Sequence, residues 1–353
     1  MTPHPLAPSA RPQAAPPPPA HPRRRLFLGL AGLGAAVVVV SVASLFLGGR
    51  SIDAGTVVDA LLRHDPTNSD HRVVTDLRLT RTIAGLLVGA ALGLAGVIMQ
   101  GVTRNPLADP GLLGVNAGAA LAVVCAISVF GITSAFGYIW FAFAGAAATA
   151  VLVYAIGAMG RDGATPVKLA LAGAAMTTAL TSITTAILLA DTATFNEHRF
   201  WTVGSLVGRR LDLIVQVAPF IAVGAVVALL AGRLLNGLSL GEDTARALGQ
   251  HVGRSRVVCT GAAVVLCGAA TAIAGPIWFV GLVVPHIARQ ITGPDHRWVL
   301  PYSLLIAPVL VLAADLAGRV VARPGELQVG ITLAFIGAPF FIVLVRRRRL
   351  REL

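Results

Sequence analysis

The sequence predicts an all-α, polytopic membrane protein with ten transmembrane helices, and three observations carry that reading. Charged residues make up only 12% of the 353, where a soluble domain carries about 25%. Hydrophobic residues reach 56% and the mean hydropathy is +0.78. Apolar runs long enough to cross a bilayer, about 20 residues each, recur along the whole chain. This composition excludes an ordinary cytosolic enzyme, and excludes disorder for most of the chain. The formal net charge is +12. A nucleic-acid partner is nevertheless excluded, because the positive charge is not clustered on amphipathic elements.

The elements follow in order. Residues 1–25 read as a Pro/Arg-rich cytoplasmic tail. Met1–Pro22 holds nine of the 21 prolines and has the composition of a disordered, polyproline-prone segment. Arg23, Arg24 and Arg25 then precede the apolar run Leu26–Leu47. That run exceeds the about 7–15 residues of a signal-peptide core, so it reads as a retained first span with the arginines holding its start in the cytoplasm. Nine further spans are predicted at Thr82–Gly101, Gly114–Thr133, Gly137–Met159, Lys168–Ala190, Leu213–Leu235, Val257–Ala274, Pro276–Ile291, Trp298–Arg319 and Val329–Val345. The run Val257–Ile291 is too long for one span, and Gly275-Pro276 is its natural break, since proline removes a donor and clashes with the preceding turn. Gly85, Gly89 and Gly93 recur every fourth position and predict a face of close helix approach.

An even number of spans places both termini on one side, and the basic run Arg346–Arg349 before the short tail 350–353 puts that side in the cytoplasm. By this topology 18 of the 28 basic residues fall inside. Tyr138, Trp140, Trp201 and Trp278 fall near the outer face, and Trp298 and Tyr302 near the inner one. Cys125, Cys259 and Cys267 all lie in apolar runs and read as buried thiols without metal spacing.

What is absent narrows the function. A phosphate-binding P-loop needs Gly-Lys-Ser/Thr. The one lysine, Lys168, stands between Val167 and Leu169. Any ATP-driven motor must therefore be another polypeptide, and no cofactor is expected on this chain. Ion-coupled carriers place ionisable groups at mid-membrane, and these spans hold few. His286 sits in a short helix as a packing histidine. Asp315 and Arg319 are four apart and can pair on one helix face. Between two spans, Asn236–Arg256 reads as a short cytoplasmic helix over about 240–250. Ser239 or Gly241 suits its start, Glu242 and Asp243 its first turn, and Gly249 its end. Ala245 and Leu248 form a small apolar face, and such an element suits the docking of a cytoplasmic partner. Arg78, Arg81, Arg319 and Arg323 lie on the outer side, against the inward trend. Two readings remain for them: contact with carboxylates of a partner or substrate, and snorkelling to headgroups.

Several motifs in a fixed order then point to a family. Arg78-Leu79-Thr80-Arg81-Thr82, Gly89-Ala90-Ala91-Leu92-Gly93, Met99-Gln100-Gly101 and Asn105-Pro106-Leu107-Ala108-Asp109-Pro110-Gly111 come first. Ala274-Gly275-Pro276-Ile277 with Val284-Pro285-His286, Asp295-His296-Arg297, Glu326-Leu327-Gln328-Val329-Gly330 and Gly337-Ala338-Pro339-Phe340 follow. Over roughly residues 26–349 the chain resembles the FecCD family, the permease subunits of ABC importers for iron–siderophores, haem and cobalamin. The resemblance implies a fold similar to the cobalamin permease and a permease domain over 26–349. It also implies a second permease subunit, in a homo- or heterodimer within membrane lipid, two cytoplasmic ATPase subunits carrying ATP and Mg, and an extracytoplasmic substrate-binding protein. The pore would lie between the two permeases, lined by helices two and five. Gly241, Glu242, Ala245, Leu248 and Gly249 would couple to the ATPase. Arg78 and Arg319 would dock the binding protein. Thr165 would belong to a cytoplasmic gate, although Ala164 and Pro166 flank it where the family has small hydroxyl residues. Thr80 stands where the family often has proline, which predicts a less kinked start to helix two. A ferric siderophore is the expected cargo, with haem or cobalamin as the alternative. An ion-coupled carrier and a non-transporting scaffold are the rival classes.

Overall fold

A computed structural model describes residues 23–132, 134–159, 165–323 and 325–349. The predicted tail, the 350–353 end, Arg161 and Ala164 lie outside the described residues. All regular structure among the described residues is helical: α1 (Arg23–Phe46), α2 (Ala54–Leu62), α3 (Ser69–Arg72), α4 (Thr80–Thr103), α5 (Val115–Phe130), α6 (Ala135–Ala158), α7 (Pro166–Ala190), α8 (Thr192–Thr202), α9 (Leu211–Leu230), α10 (Gly232–Ser239), α11 (Glu242–Ala247), α12 (Val252–Ala274), α13 (Val280–Thr292), α14 (His296–Val321) and α15 (Val329–Arg349). Each of the ten predicted spans falls on a helix. Seven helices are long and apolar enough to cross a membrane among the described residues; α5 and Val329–Val343 of α15 are shorter apolar helices. At about 1.5 Å per residue, the 13 residues of α13 reach about 20 Å, short of a hydrocarbon core of about 30 Å.

Helix α4 is the axle of the fold. It packs against α9, α12, α13 and α14, and its apolar stretch is buried on nearly every side. Helix α1 is the opposite case: it leans on α14 and leaves most of its surface outward. The Tyr302 hydroxyl donates to the Leu26 carbonyl at 2.8 Å, and Phe27 meets Trp298 edge to face at 5.1 Å. Tyr302 and Trp201, expected at the membrane interfaces, are buried inside the protein. Helices α5, α6 and α7 pack on one another beside α12. Helix two of the expected pore lining is thus enclosed by its own chain, whereas α7 keeps a free face.

The glycine face of α4 is its contact with α14. A Cβ on Gly89 would stand 2.7 Å from the Pro308 backbone, and one on Gly93 2.6 Å from Ala307. Backbone cannot retreat as a side-chain tip can. Gly89→Val is therefore expected to lower stability by about 1–3 kcal/mol through overpacking, read as earlier thermal unfolding of the purified protein in detergent. An unchanged unfolding curve would contradict the contact.

The start of α4 has no break at Thr80, in line with the less kinked entry expected there, while two other local features depart from expectation. Ser69–Thr103 runs on as one helix, with a π-helical stretch at Val73–Leu79 taking up the irregularity. The predicted span from Pro276 begins only at Val280, because Gly275 and Phe279 both take positive φ and unwind the chain between α12 and α13. The Asp109–Gly111 turn folds against this unwound stretch, with Gly111 beside Trp278, and the Asp109 carboxylate accepts the Gly111 N–H at 2.8 Å. Short helices α2, α3 and α8 lie in segments read as connections. Each opens on a side-chain cap, Asp53, Asn68 and Asp191 respectively.

Candidate functional site

Charged side chains gather at two opposite ends of the bundle. At one end, α11 begins after Gly241, whose φ of 103° lies in the region open to glycine. Glu242 opens the helix and is gripped from several sides. Arg256, from the buried side of α12, donates to Glu242 Oε1 at 2.6 Å. Arg246 donates to Oε2 at 3.0 Å, and Arg104, at the end of α4, stands 4.0 Å from Oε1. Partial burial works to raise the Glu242 carboxyl, but the Arg256 hydrogen bond and the three guanidinium charges outweigh it and hold the group ionised below its ordinary range. The Gln250 amide donates to the Leu234 carbonyl and to Ser255 Oγ, both at 3.0 Å. Helix α11 is thereby fastened to α10 and α12 and is within reach of α4.

The predicted apolar face of α11 divides. Ala245 is fully buried, whereas Leu248 is 69% exposed and Gly249 closes the helix with positive φ. Asp243 is exposed beside it. The outward surface therefore carries Leu248 among Asp243, Thr244, Arg246 and Ala247 rather than an apolar pair. Nearby, Asn236 donates to Asp295 at 2.7 Å and its carbonyl oxygen accepts the His296 N–H at 2.9 Å. The Arg297 guanidinium draws the Asp295 carboxyl down to about 2. Thr165 caps α7: its hydroxyl oxygen accepts the Lys168 N–H at 3.4 Å.

At the other end, Asp315 and Arg319 pair as their spacing predicts, and both are buried, at 0% and 1% exposure. Arg81 joins them from α4. Its Nη2 donates to Asp315 Oδ1 at 2.7 Å, and its Nη1 donates to Glu326 Oε2 at 2.5 Å. Burial works to raise the Glu326 carboxyl, and the Arg81 contact outweighs it. Three arginines close the last turn of α1. Arg78 donates to the Leu45, Phe46 and Arg50 carbonyls at 2.8, 3.0 and 2.6 Å. Arg319 donates to the Ser44 carbonyl at 2.9 Å, and Arg323 to that of Gly48 at 3.0 Å. A helix ends with unsatisfied carbonyls and a partial negative charge, so cations are the natural partners there. Arg78 and Arg319 do not project as free guanidiniums. They line a cavity of about 340 Å³ with Arg50, Arg81 and Glu326. Sequence reasoning paired Asp315 with Arg319 but missed that Arg81 and Glu326, remote in the chain, join them, and missed Arg256 as the partner of Glu242.

No group of three or more His, Cys, Asp or Glu suited to a metal ion occurs among the described residues. The chemistry of both ends is ion pairing and hydrogen bonding. It suits a device that moves or docks.

A model described as the FecCD transport family matches residues 36–347. The chain is 47% identical over 321 residues to the ferric enterobactin transport system permease protein FepD of Escherichia coli (strain K12), covering 91% of this chain and 96% of that protein. It is 44% identical over 307 residues to the iron(3+)-hydroxamate import system permease protein FhuB of Bacillus subtilis (strain 168), covering 87% and 79% respectively. A solved inward-facing conformation of a metal-chelate type ABC transporter superimposes with a TM-score of 0.80 at 29% identity, covering 92% of this chain and 100% of that one.

Proposed function

The chain belongs to the FecCD transport family and is a multi-pass membrane protein, and from that we propose that it is the permease subunit of a binding-protein-dependent ABC importer for ferric siderophores. The observation that carries the proposal is the 47% identity, over nearly the whole of both chains, to a ferric enterobactin permease. Two ATPase subunits supply the ATP and Mg, a second permease subunit completes the pathway, and a binding protein delivers the cargo from outside. Both termini face the cytoplasm.

The mechanism is alternating access. ATP-driven closure of the ATPase pair pushes on α11 through Leu248 with Gly241 and Gly249, while Ala245, buried beneath, seats the helix on the bundle. The push passes to α12 and α4 through Glu242, because Arg256 and Arg104 belong to those helices. What supports this is the fastening of α11: a free loop would absorb the push, and a braced helix passes it on. At the opposite end, the arginine-lined cavity is the seat for a carboxylate of the binding protein. Arg78 faces it directly, and Arg319 holds the end of α1 that forms its wall. Thr165, at the start of α7, is assigned to the cytoplasmic gate. No residue here does covalent chemistry.

Deletion of the gene should impair growth on iron bound to the cognate siderophore, and the intact chain should restore it. Growth unaffected by the deletion would move the cargo to haem or cobalamin, tested the same way.

A further inference from the structure

Helices α6 and α12 pack side by side, and between them runs a groove of about 380 Å³. Small residues open it: Ala147 and Ala155, about two turns apart on α6, and Gly261 on α12. A Cβ on Gly261 would meet nothing within 4 Å, unlike those on Gly89 and Gly93, so this glycine serves no helix contact. The rims are aliphatic and turned outward, with Val151 68% and Val257 56% exposed. Among the described residues no charged side chain lines the groove. Charge stands just beyond its end, on the α11 side of the bundle. Val257 follows Arg256, which holds Glu242. Arg254 lies one turn earlier, about 4.5 Å along the axis, and its spacing of three and seven from Val257 and Gly261 puts it on their face of α12. Arg254 is exposed, and among the described residues no carboxylate pairs with it. Tyr154, lining the facing wall, is of the type that settles at a headgroup boundary. An apolar slot with an open guanidinium at its foot complements a molecule with an apolar chain and an anionic head. A soluble anion has no use for the slot. A zwitterionic lipid brings its own cation to the guanidinium, so an anionic phospholipid fits best.

We propose that the α6–α12 groove holds an anionic phospholipid from the leaflet at the α11 end, with one acyl chain in the groove and the phosphate on Arg254. The site rests on the chain being a multi-pass membrane protein and is independent of the cargo. Because Arg256 of the same helix holds Glu242, the lipid steadies α12 where α11 is fastened to it.

The test is thermal unfolding of the purified importer in a neutral detergent, titrated with phosphatidylglycerol or with phosphatidylethanolamine. Phosphatidylglycerol should raise the permease transition saturably, by about 2–5 °C, and phosphatidylethanolamine by less than half of that. Gly261→Leu puts a side chain into the open groove. It should leave the lipid-free transition in place and remove most of the phosphatidylglycerol shift. Arg254→Gln should bring the shifts from the two lipids together, and its exposed position keeps the test decisive even if Gly261→Leu fails to fold. Equal shifts from the two lipids in the parent would overturn the proposal. So would a phosphatidylglycerol shift that neither substitution alters, the result expected if the second permease subunit covers the groove. Either result would leave the importer reading standing, because uptake is measured apart from lipid binding.

Discussion

Asp315→Ala should destabilise the protein by about 3–5 kcal/mol, the cost of leaving a buried charge without its partner. The carboxylate is fully buried between Arg81 and Arg319. Without it, two guanidiniums face each other with Glu326, ion-paired to Arg81, as the remaining carboxylate. The damage should spread to α1, because Arg319 also holds the Ser44 carbonyl. Asp315→Asn should fall nearly as far, since it keeps the shape and loses the charge. Arg323→Ala, which removes a single donor to Gly48, should cost far less. Thermal unfolding in detergent checks the series. An Asp315→Ala protein as stable as the parent would show that the network is not a support of the fold.

The second large effect is expected at the other end. Glu242→Arg should place a fourth guanidinium among Arg104, Arg246 and Arg256 and release the start of α11 from α12. Hydrogen bonds to charged groups contribute about 1.5–3 kcal/mol each, so losing the Arg256 and Arg246 contacts frees the helix. In the assembled importer, ATP hydrolysis should continue while uptake falls at least about tenfold, the mark of a broken link between motor and pathway. Glu242→Gln keeps hydrogen-bonding atoms and loses the charge, so it should fall between parent and Glu242→Arg. The measurement is uptake and ATP hydrolysis on the same preparation, with unfolding curves alongside. Normal uptake by a folded Glu242→Arg importer would contradict the coupling role.

The two ends differ in how far the sequence revealed them. Helix α11 was legible because its signals are local. A glycine at each end and two acids in the first turn mark a short helix whatever surrounds it. The Asp315–Arg319 pair was legible for the same reason, a spacing of four. Arg81 was not, since it meets Asp315 across 234 residues of chain and nothing in its neighbourhood announces that partner. Arg78 and Arg319 read as outward-facing because they follow or precede apolar runs. The fold turns them inward, where the end of α1 has carbonyls to satisfy. The helices under the predicted spans were legible from hydropathy, seven of them long and apolar enough to cross a membrane among the described residues, but the start of α13 was not. Residues 276–279 are as apolar as a helix, and positive φ at Gly275 and Phe279 unwinds them. Helices α2, α3 and α8 escaped because their compositions are mixed and only a cap marks each. The groove above Arg254 lies where α6 and α12 meet, and no single stretch of sequence carries it.

On this reading the chain is the pathway of an ATP-driven importer of ferric siderophores. Its most direct test is uptake of labelled ferric enterobactin by proteoliposomes holding the chain with its partner permease, its ATPase and the binding protein. Uptake should need ATP and stop when the ATPase is inactivated. Uptake that persists without ATP and follows an ion gradient would contradict it and make the chain a secondary carrier.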